Sequence, residues 1–119
     1  MSKIAPKYEN CLLSCVIVSD MHIDKKHPFP WFPMWQLKRA LSDSENAVNR
    51  QDAFIGVGDT TSRGNSVNWK MTVDCFRAHP SPANEILLPL GNHDTWNDNG
   101  YEDAIKEYYS AMKVTCGKE

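Results

Sequence analysis

Apolar and polar positions along this chain fall into blocks. Three short apolar runs stand out: Leu12-Leu13-Ser14-Cys15-Val16-Ile17-Val18, Ala53-Phe54-Ile55-Gly56-Val57 and Ile86-Leu87-Leu88-Pro89-Leu90. Each has the length of a strand, and two are rich in β-branched residues. They are near-continuous rather than alternating, the pattern expected of strands buried on both faces. Pro89 cannot donate to a ladder and is tolerable only near a strand end.

The segments between them carry helical spacing. Met34, Leu37, Leu41 and Val48 share one face of a stretch from about Met34 to Arg50. Trp69, Thr72, Val73 and Phe76 do the same between Ser66 and Ala78. Tyr101, Ala104, Ile105, Tyr108, Tyr109 and Met112 form the clearest amphipathic helix, with Asp98 or Asn99 as its cap. The order β-α-β-α-β-α predicts right-handed crossovers and a parallel sheet. Val114-Thr115-Cys116 reads as the start of a fourth strand, after which only Gly117-Lys118-Glu119 remain. The expectation is therefore one truncated domain over residues 1–119. The Pro-aromatic segment from His27 to Trp35 is expected to be an ordered loop with its aromatics packed on the domain, in preference to a rim over a site.

Composition narrows the function classes. A length of 119 residues suits one small domain, and 41% apolar and 24% charged residues are ordinary for a globular chain. The net charge of −2 gives no broad pull toward nucleic acid or acidic membranes. The run Lys25-Lys26-His27 reads as a solvated loop. No stretch approaches the ~20 apolar residues of a membrane span, and the start Met-Ser-Lys-Ile-Ala-Pro-Lys does not lead into a signal peptide. Cys11, Cys15, Cys75 and Cys116 form no C-x-x-C and no zinc-finger spacing. Free thiols in a reducing, cytoplasmic setting are expected. Neither G-x-G-x-x-G nor G-x-x-x-x-G-K-[ST] occurs, which removes support for a nucleotide-binding domain.

The chemistry collects where the apolar runs end. The first ends in Ser19-Asp20-Met21-His22, the second in Gly58-Asp59-Thr60-Thr61-Ser62-Arg63-Gly64-Asn65, the third in Gly91-Asn92-His93-Asp94. The C-terminal ends of parallel strands lie along one edge, where ligands bind. Asp20, Asp59 and Asn92 offer oxygen ligands and His22 a nitrogen, a mixed set that suits Mn, Fe or Zn. At a strand end, residues two apart point to the same side, so Asp20 and His22 are expected to reach one cation. A carboxylate such as Asp59 can bridge two cations ~3.5–4 Å apart. Gly58 and Gly91 let the backbone turn and approach an ion closely.

These three segments resemble the calcineurin-like metallophosphoesterase superfamily, whose pattern runs D-x-H, G-D-x-x-[DN], G-N-H-[DE], a lone His, then G-H-x-H. The matching residues are Asp20-Met21-His22, Gly58 through Ser62, and Gly91-Asn92-His93-Asp94. The resemblance implies two divalent metal ions (Mn, Fe or Zn), with Asp20 and His22 on the first, Asp59 bridging and Asn92 on the second. It implies that His93 acts near the leaving group as general acid or transition-state stabiliser, that Asp94 orients the His93 ring, and that the substrate is a small phosphate mono- or diester. It also implies a four-layer α/β/β/α sandwich, of which this chain supplies a βαβαβα half. Two departures matter. Ser62 stands where the family has Asp or Asn, and the lone His and G-H-x-H are absent, so the second metal site is incomplete. His27 and His79 are expected to be surface loop residues. Arg63 is a candidate phosphate contact, with a structural ion pair as its more expected role. A half-sheet exposes an edge and apolar surface, so self-association is expected. The alternative to an enzyme is a non-enzymatic remnant, or a module that binds metal or phosphate.

Overall fold

The computed structural model describes residues 11–80 and 82–116. The N-terminal segment Met1 to Lys7 and the last three residues, read above from sequence, lie outside the described residues. The elements run β1 (Cys15–Val18), α1 (Trp31–Glu45), β2 (Ala53–Gly56), α2 (Ser66–Ala78), β3 (Glu85–Leu87) and α3 (Tyr101–Cys116), with one 3-10 turn at His93–Thr95. The three strands form one parallel sheet in the order β1-β2-β3. The fold is thus mixed α/β, three parallel strands with three helices. Successive right-handed crossovers in that strand order step in one direction and set the helices against one face of the sheet. In keeping with this, α1 packs on α2, and α2 on α3.

That arrangement overturns the expectation of strands buried on both faces. The register aligns Val16, Phe54 and Ile86 in one row and Ile17, Ile55 and Leu87 in the next. Side chains alternate with period two, so neighbouring rows face opposite sides. The first row meets the helices: Phe54 is fully buried and packs edge-to-face on Phe76 at 5.6 Å, with Val16 and Ile86 against the same core. The second row has no described layer over it, leaving Ile17 67% and Leu87 45% exposed.

Helix boundaries have local causes. Helix α1 starts three residues earlier than the spacing predicts, because Pro33 lies in its first turn, where a missing N–H loses no intrahelical bond. It ends at Glu45 rather than Arg50. There the Asn46 backbone N–H and side-chain Nδ2 both donate to the Ser42 carbonyl, at 3.0 and 2.8 Å, and Val48 lies beyond the helix. The inward positions of α1 are Pro33, Leu37, Leu41 and Ser44. Trp31, Phe32 and Trp35 fall off that stripe and are exposed, as is Phe29. The expectation that these aromatics pack on the domain, in a loop reaching Trp35, is therefore wrong.

Helix α2 has the predicted bounds, capped by Asn65, whose Oδ1 accepts from the Asn68 N–H at 2.9 Å. Helix α3 runs on through Val114, Thr115 and Cys116, so the expected fourth strand does not form. Tyr108, Met112 and Cys116 recur every four residues and all contact the core, and that stripe outweighs the β-branched local preference. The carbonyl of Gly100, not Asp98 or Asn99, accepts the first bond of α3, from the Ala104 N–H at 3.2 Å. Strand β3 stops at Leu87, short of Pro89. His79 lies just past the end of α2, as expected, but half-buried rather than fully at the surface: its Nδ1 lies 3.3 Å from the Glu45 carboxylate at the end of α1. All four cysteines are free, and burial pushes the Cys75 thiol above its usual pKa, which keeps it protonated and inert. No helix among the described residues is long and apolar enough to cross a membrane.

Candidate metal centre

Beyond the strand ends the first two loops remain paired. Asp20 N–H donates to the Gly58 carbonyl (3.2 Å), His22 N–H to Asp59 (3.1 Å) and Ile23 N–H to Thr60 (3.0 Å). An isolated parallel bridge joins Ile23 to Thr61. This zipper carries Asp20 and His22 alongside Asp59. All three occupy left-handed backbone, with φ of 52°, 49° and 51°. For non-glycine residues that conformation costs about 1–2 kcal/mol each and tends to collect at functional sites. Strand alternation is therefore not what brings Asp20 and His22 together. The left-handed turns do it.

The third loop docks onto Asp59. Its His93 N–H donates to Asp59 Oδ1 at 2.9 Å. The approach is possible because position 91 is glycine: a Cβ there would lie 2.1 Å from the Asp59 nitrogen and 2.2 Å from its Oδ1. Gly91→Ala is accordingly expected to push the two loops apart, lowering both thermal stability and divalent-ion affinity. An unchanged melting temperature together with unchanged affinity would refute this close-contact account.

The chemical groups meet at the C-terminal edge of the sheet. His22 Nε2 lies 3.8 Å from Asp20 Oδ1 and 4.0 Å from Asp59 Oδ2. Ligand atoms of His22, Asp59 and His93 all lie within 4.8 Å of one another. Two ligands bonded at about 2.1 Å to one ion stand roughly 3–4 Å apart, so a cation would need only a modest contraction. The Asn92 amide sits against Asp59, 3.1 Å from each carboxylate oxygen. With its nitrogen inward it donates to both; with its oxygen inward, three oxygens converge as they would around a cation. The donor set of imidazole, carboxylate and amide oxygen fits a borderline divalent ion. The site is an open shelf: the Asp20 side chain is 64% exposed and the Asp59 side chain 13%. Ser19 Oγ donates to Asp20 Oδ2 at its outer rim.

Asp94 departs from the role that the resemblance implies. Its carboxylate does not orient His93. It is fully buried and accepts from Thr60 N–H (3.3 Å), Thr61 N–H (2.8 Å), Thr61 Oγ1 (2.7 Å) and Gly91 N–H (2.9 Å). The physical reason is proximity. The 3-10 turn after Asn92 points Asp94 into the gap between the second and third loops, where unpaired N–H groups need an acceptor. The His93 ring is instead held by the Ser62 carbonyl, 3.1 Å from Nδ1, and by Trp96, whose ring centroid lies 3.8 Å away. Sequence reasoning gave neither residue this part. Ser62 acts through its backbone carbonyl, which its side chain does not advertise, while its hydroxyl donates to the His22 carbonyl at 3.1 Å. Trp96, three residues after His93, was the one available signal. Arg63 forms an exposed ion pair with Asp98 at 3.4 Å, of a kind worth about 0–1 kcal/mol, and His27 stays in its loop, accepting from the Phe29 N–H.

Fold and site together define an α/β protein with a candidate metal centre at the C-terminal edge of a parallel sheet. No protein-family model, curated protein or solved structure matches the chain.

Proposed function

We propose that this chain carries the metal-binding part of a metal-dependent phosphoesterase acting on small phosphate esters. The observation that supports the reading most is the placement of His22 Nε2 between the carboxylates of Asp20 and Asp59, at 3.8 and 4.0 Å. Asp20, His22 and Asp59 would hold a first divalent ion of the Mn, Fe or Zn type. Asp59 and Asn92 would supply two ligands to a second. Bound ions would bind phosphate oxygens and lower the pKa of a water for in-line attack at phosphorus. The protein's own part is to fix the carboxylates. Asp59 is oriented by the His93 N–H, and Asp20 by Ser19.

The α/β/β/α layering implied by the resemblance would place a second sheet over the row Ile17, Ile55 and Leu87. Without such a cover, that apolar row and the outer edges of β1 and β3 would favour self-association.

The test is hydrolysis of an aryl phosphate ester by the purified chain with Mn²⁺, Fe²⁺ or Zn²⁺ added singly. Metal-dependent release of the aryl alcohol, abolished by a chelator and by Asp59→Asn, supports the proposal. Stoichiometric metal binding with no turnover under any ion would favour the alternative, a module that binds metal without hydrolysis. The two ligands available to the second ion make that outcome a concrete one.

A further inference from the structure

We propose that the aromatic ledge formed by Phe29, Trp31, Phe32 and Trp35, with Lys25, Lys26, Lys38 and Arg39 at its two ends, docks onto an anionic lipid bilayer. The proposal does not depend on the metal centre or on the reaction assigned to it. Three observations carry it.

The first is what α1 turns outward. Its inward stripe is Pro33, Leu37, Leu41 and Ser44. At helical spacing Trp31, Trp35 and Arg39 project from the opposite side, with Phe32 and Lys38 beside them. Phe29, Trp31, Phe32 and Trp35 are between 44% and 64% exposed. Phe29, Trp31 and Phe32, with His27, line an apolar hollow of about 250 Å³. Large aromatics gathered in one exposed patch mark a contact surface, whereas scattered ones do not.

The second is that the ledge is built rather than loose. The Phe32 ring meets Trp31 edge to face at 5.8 Å and stacks with Trp35 at 6.3 Å. The Lys25 N–H donates to Oδ1 of the buried Asn68 at 3.0 Å, which ties the loop to α2. The His27 N–H donates to the Asp24 carbonyl (3.2 Å), the Phe29 N–H to His27 Nδ1 (2.9 Å) and the Phe32 N–H to the Phe29 carbonyl (3.0 Å). Pro28, Pro30 and Pro33 fix φ along the same stretch. A partner therefore meets preorganised aromatics, with little further ordering cost.

The third is charge. Residues 24–39 carry four basic side chains, Lys25, Lys26, Lys38 and Arg39, against the single acid Asp24, in a chain whose net charge is −2. All four basic residues are exposed. Arg39 pairs with Asp43 at 2.9 Å, and Asp24 Oδ1 accepts the Lys26 backbone N–H at 2.9 Å. Among the described residues the Lys25, Lys26 and Lys38 ammonium groups enter no ion pair. The lack of a broad pull toward acidic surfaces holds for the chain as a whole and not for this corner. Trp and Phe beside Lys and Arg on one surface helix is the composition that settles at the headgroup boundary of a bilayer. There the rings enter the interface and the ammonium groups meet lipid phosphates. The charges stand before and after the aromatics and do not line a groove along which a nucleic-acid strand would run.

Vesicle flotation with the full chain tests this, using phosphatidylcholine vesicles with and without phosphatidylserine. The wild type should favour the anionic vesicles by about 10-fold or more, and lose that preference as salt rises. Its tryptophan emission should move to the blue on binding. Trp31→Ala with Trp35→Ala should remove that shift, although Trp69 and Trp96 remain, and weaken binding by about 10-fold or more. Lys25→Ala with Lys26→Ala should weaken binding by about 10–30-fold. Circular dichroism checks that each variant folds. If the tryptophan variant does not, Phe29→Ser, in the loop before the helix, carries the same expectation of weaker binding. No association with anionic vesicles, equal association with both lipids, or association unchanged by the aromatic substitutions would overturn the proposal. A wild-type dimer that the tryptophan substitutions dissociate would give the ledge to a second copy. Tighter binding of single-stranded polyuridylate than of vesicles would give it to nucleic acid. Either result also overturns the proposal, and none of these outcomes touches the proposed function.

Discussion

Replacing Asp59 with Asn is expected to remove divalent-ion binding while leaving the fold intact. Asp59 Oδ1 accepts the His93 N–H at 2.9 Å, and an amide oxygen can take over that bond. What the substitution removes is the negative charge, together with one of the two oxygens that face His22 and Asn92. Without an ion, the carboxylates of Asp20 and Asp59 flank the same imidazole nitrogen, so loss of one charge relieves repulsion there. The apo variant should therefore be as stable as the wild type or slightly more so. Ion affinity should fall by more than about 100-fold, beyond the effect of losing an outer partner. A ligand at 100 times its dissociation constant stabilises the folded state by about 2.7 kcal/mol. For a domain of this size that is a rise in melting temperature on the order of 10 °C. Scanning fluorimetry with and without Zn²⁺ should show that rise in the wild type and none in Asp59→Asn. Equal rises in both proteins would mean that the ion binds somewhere else.

The parts of this architecture that could be read from the chain are those set by local pattern. The three apolar runs gave the strands because a near-continuous run of that length has few other structures open to it. The bounds of α2 were legible because Asn65 is a capping residue placed directly before a helical stripe. Pattern alone could not tell a covered face from an uncovered one. The run containing Ile17 looks as apolar as a doubly buried strand, yet every described helix lies on the side of Val16, Phe54 and Ile86. At the end of α3, Val114 and Thr115 favour a strand locally, but the stripe through Tyr108, Met112 and Cys116 has a core to bury against. The three motif segments correctly marked which loops meet. They did not reveal the left-handed backbone at Asp20, His22 and Asp59, because Asp and His, though enriched at positive φ, mark it far more weakly than glycine does. The duties of Asp94 and Ser62 were hidden for a related reason. Both rest mainly on hydrogen bonds to backbone groups, and those groups are the same whatever residue bears them.

Truncating Asp94 to Ala is expected to lower folding stability by about 3–5 kcal/mol, a large share of the roughly 5–15 kcal/mol available to a small domain. The carboxylate is fully buried and receives four hydrogen bonds, three from the second loop and one from Gly91 in the third. Hydrogen bonds to a charged acceptor contribute about 1.5–3 kcal/mol each, but the sum overshoots, since water entering the gap would satisfy part of what is left. The remainder is the penalty for donors without acceptors in a site that Thr60 and Thr61 otherwise keep dry. Asp94→Asn should fall between Ala and wild type, because one of its two terminal atoms would turn a donor toward backbone N–H groups. Metal affinity should fall with stability, since the same clamp fixes the distance between Asp59 and Asn92. Urea unfolding separates this account from the role implied by the family pattern. If Asp94 served only to orient His93, Asp94→Ala would shift the midpoint by less than about 1 kcal/mol while suppressing phosphate-ester hydrolysis. A large midpoint shift at constant m, accompanied by loss of the ion-induced rise in melting temperature, is what a buried clamp between two ligand-bearing loops requires.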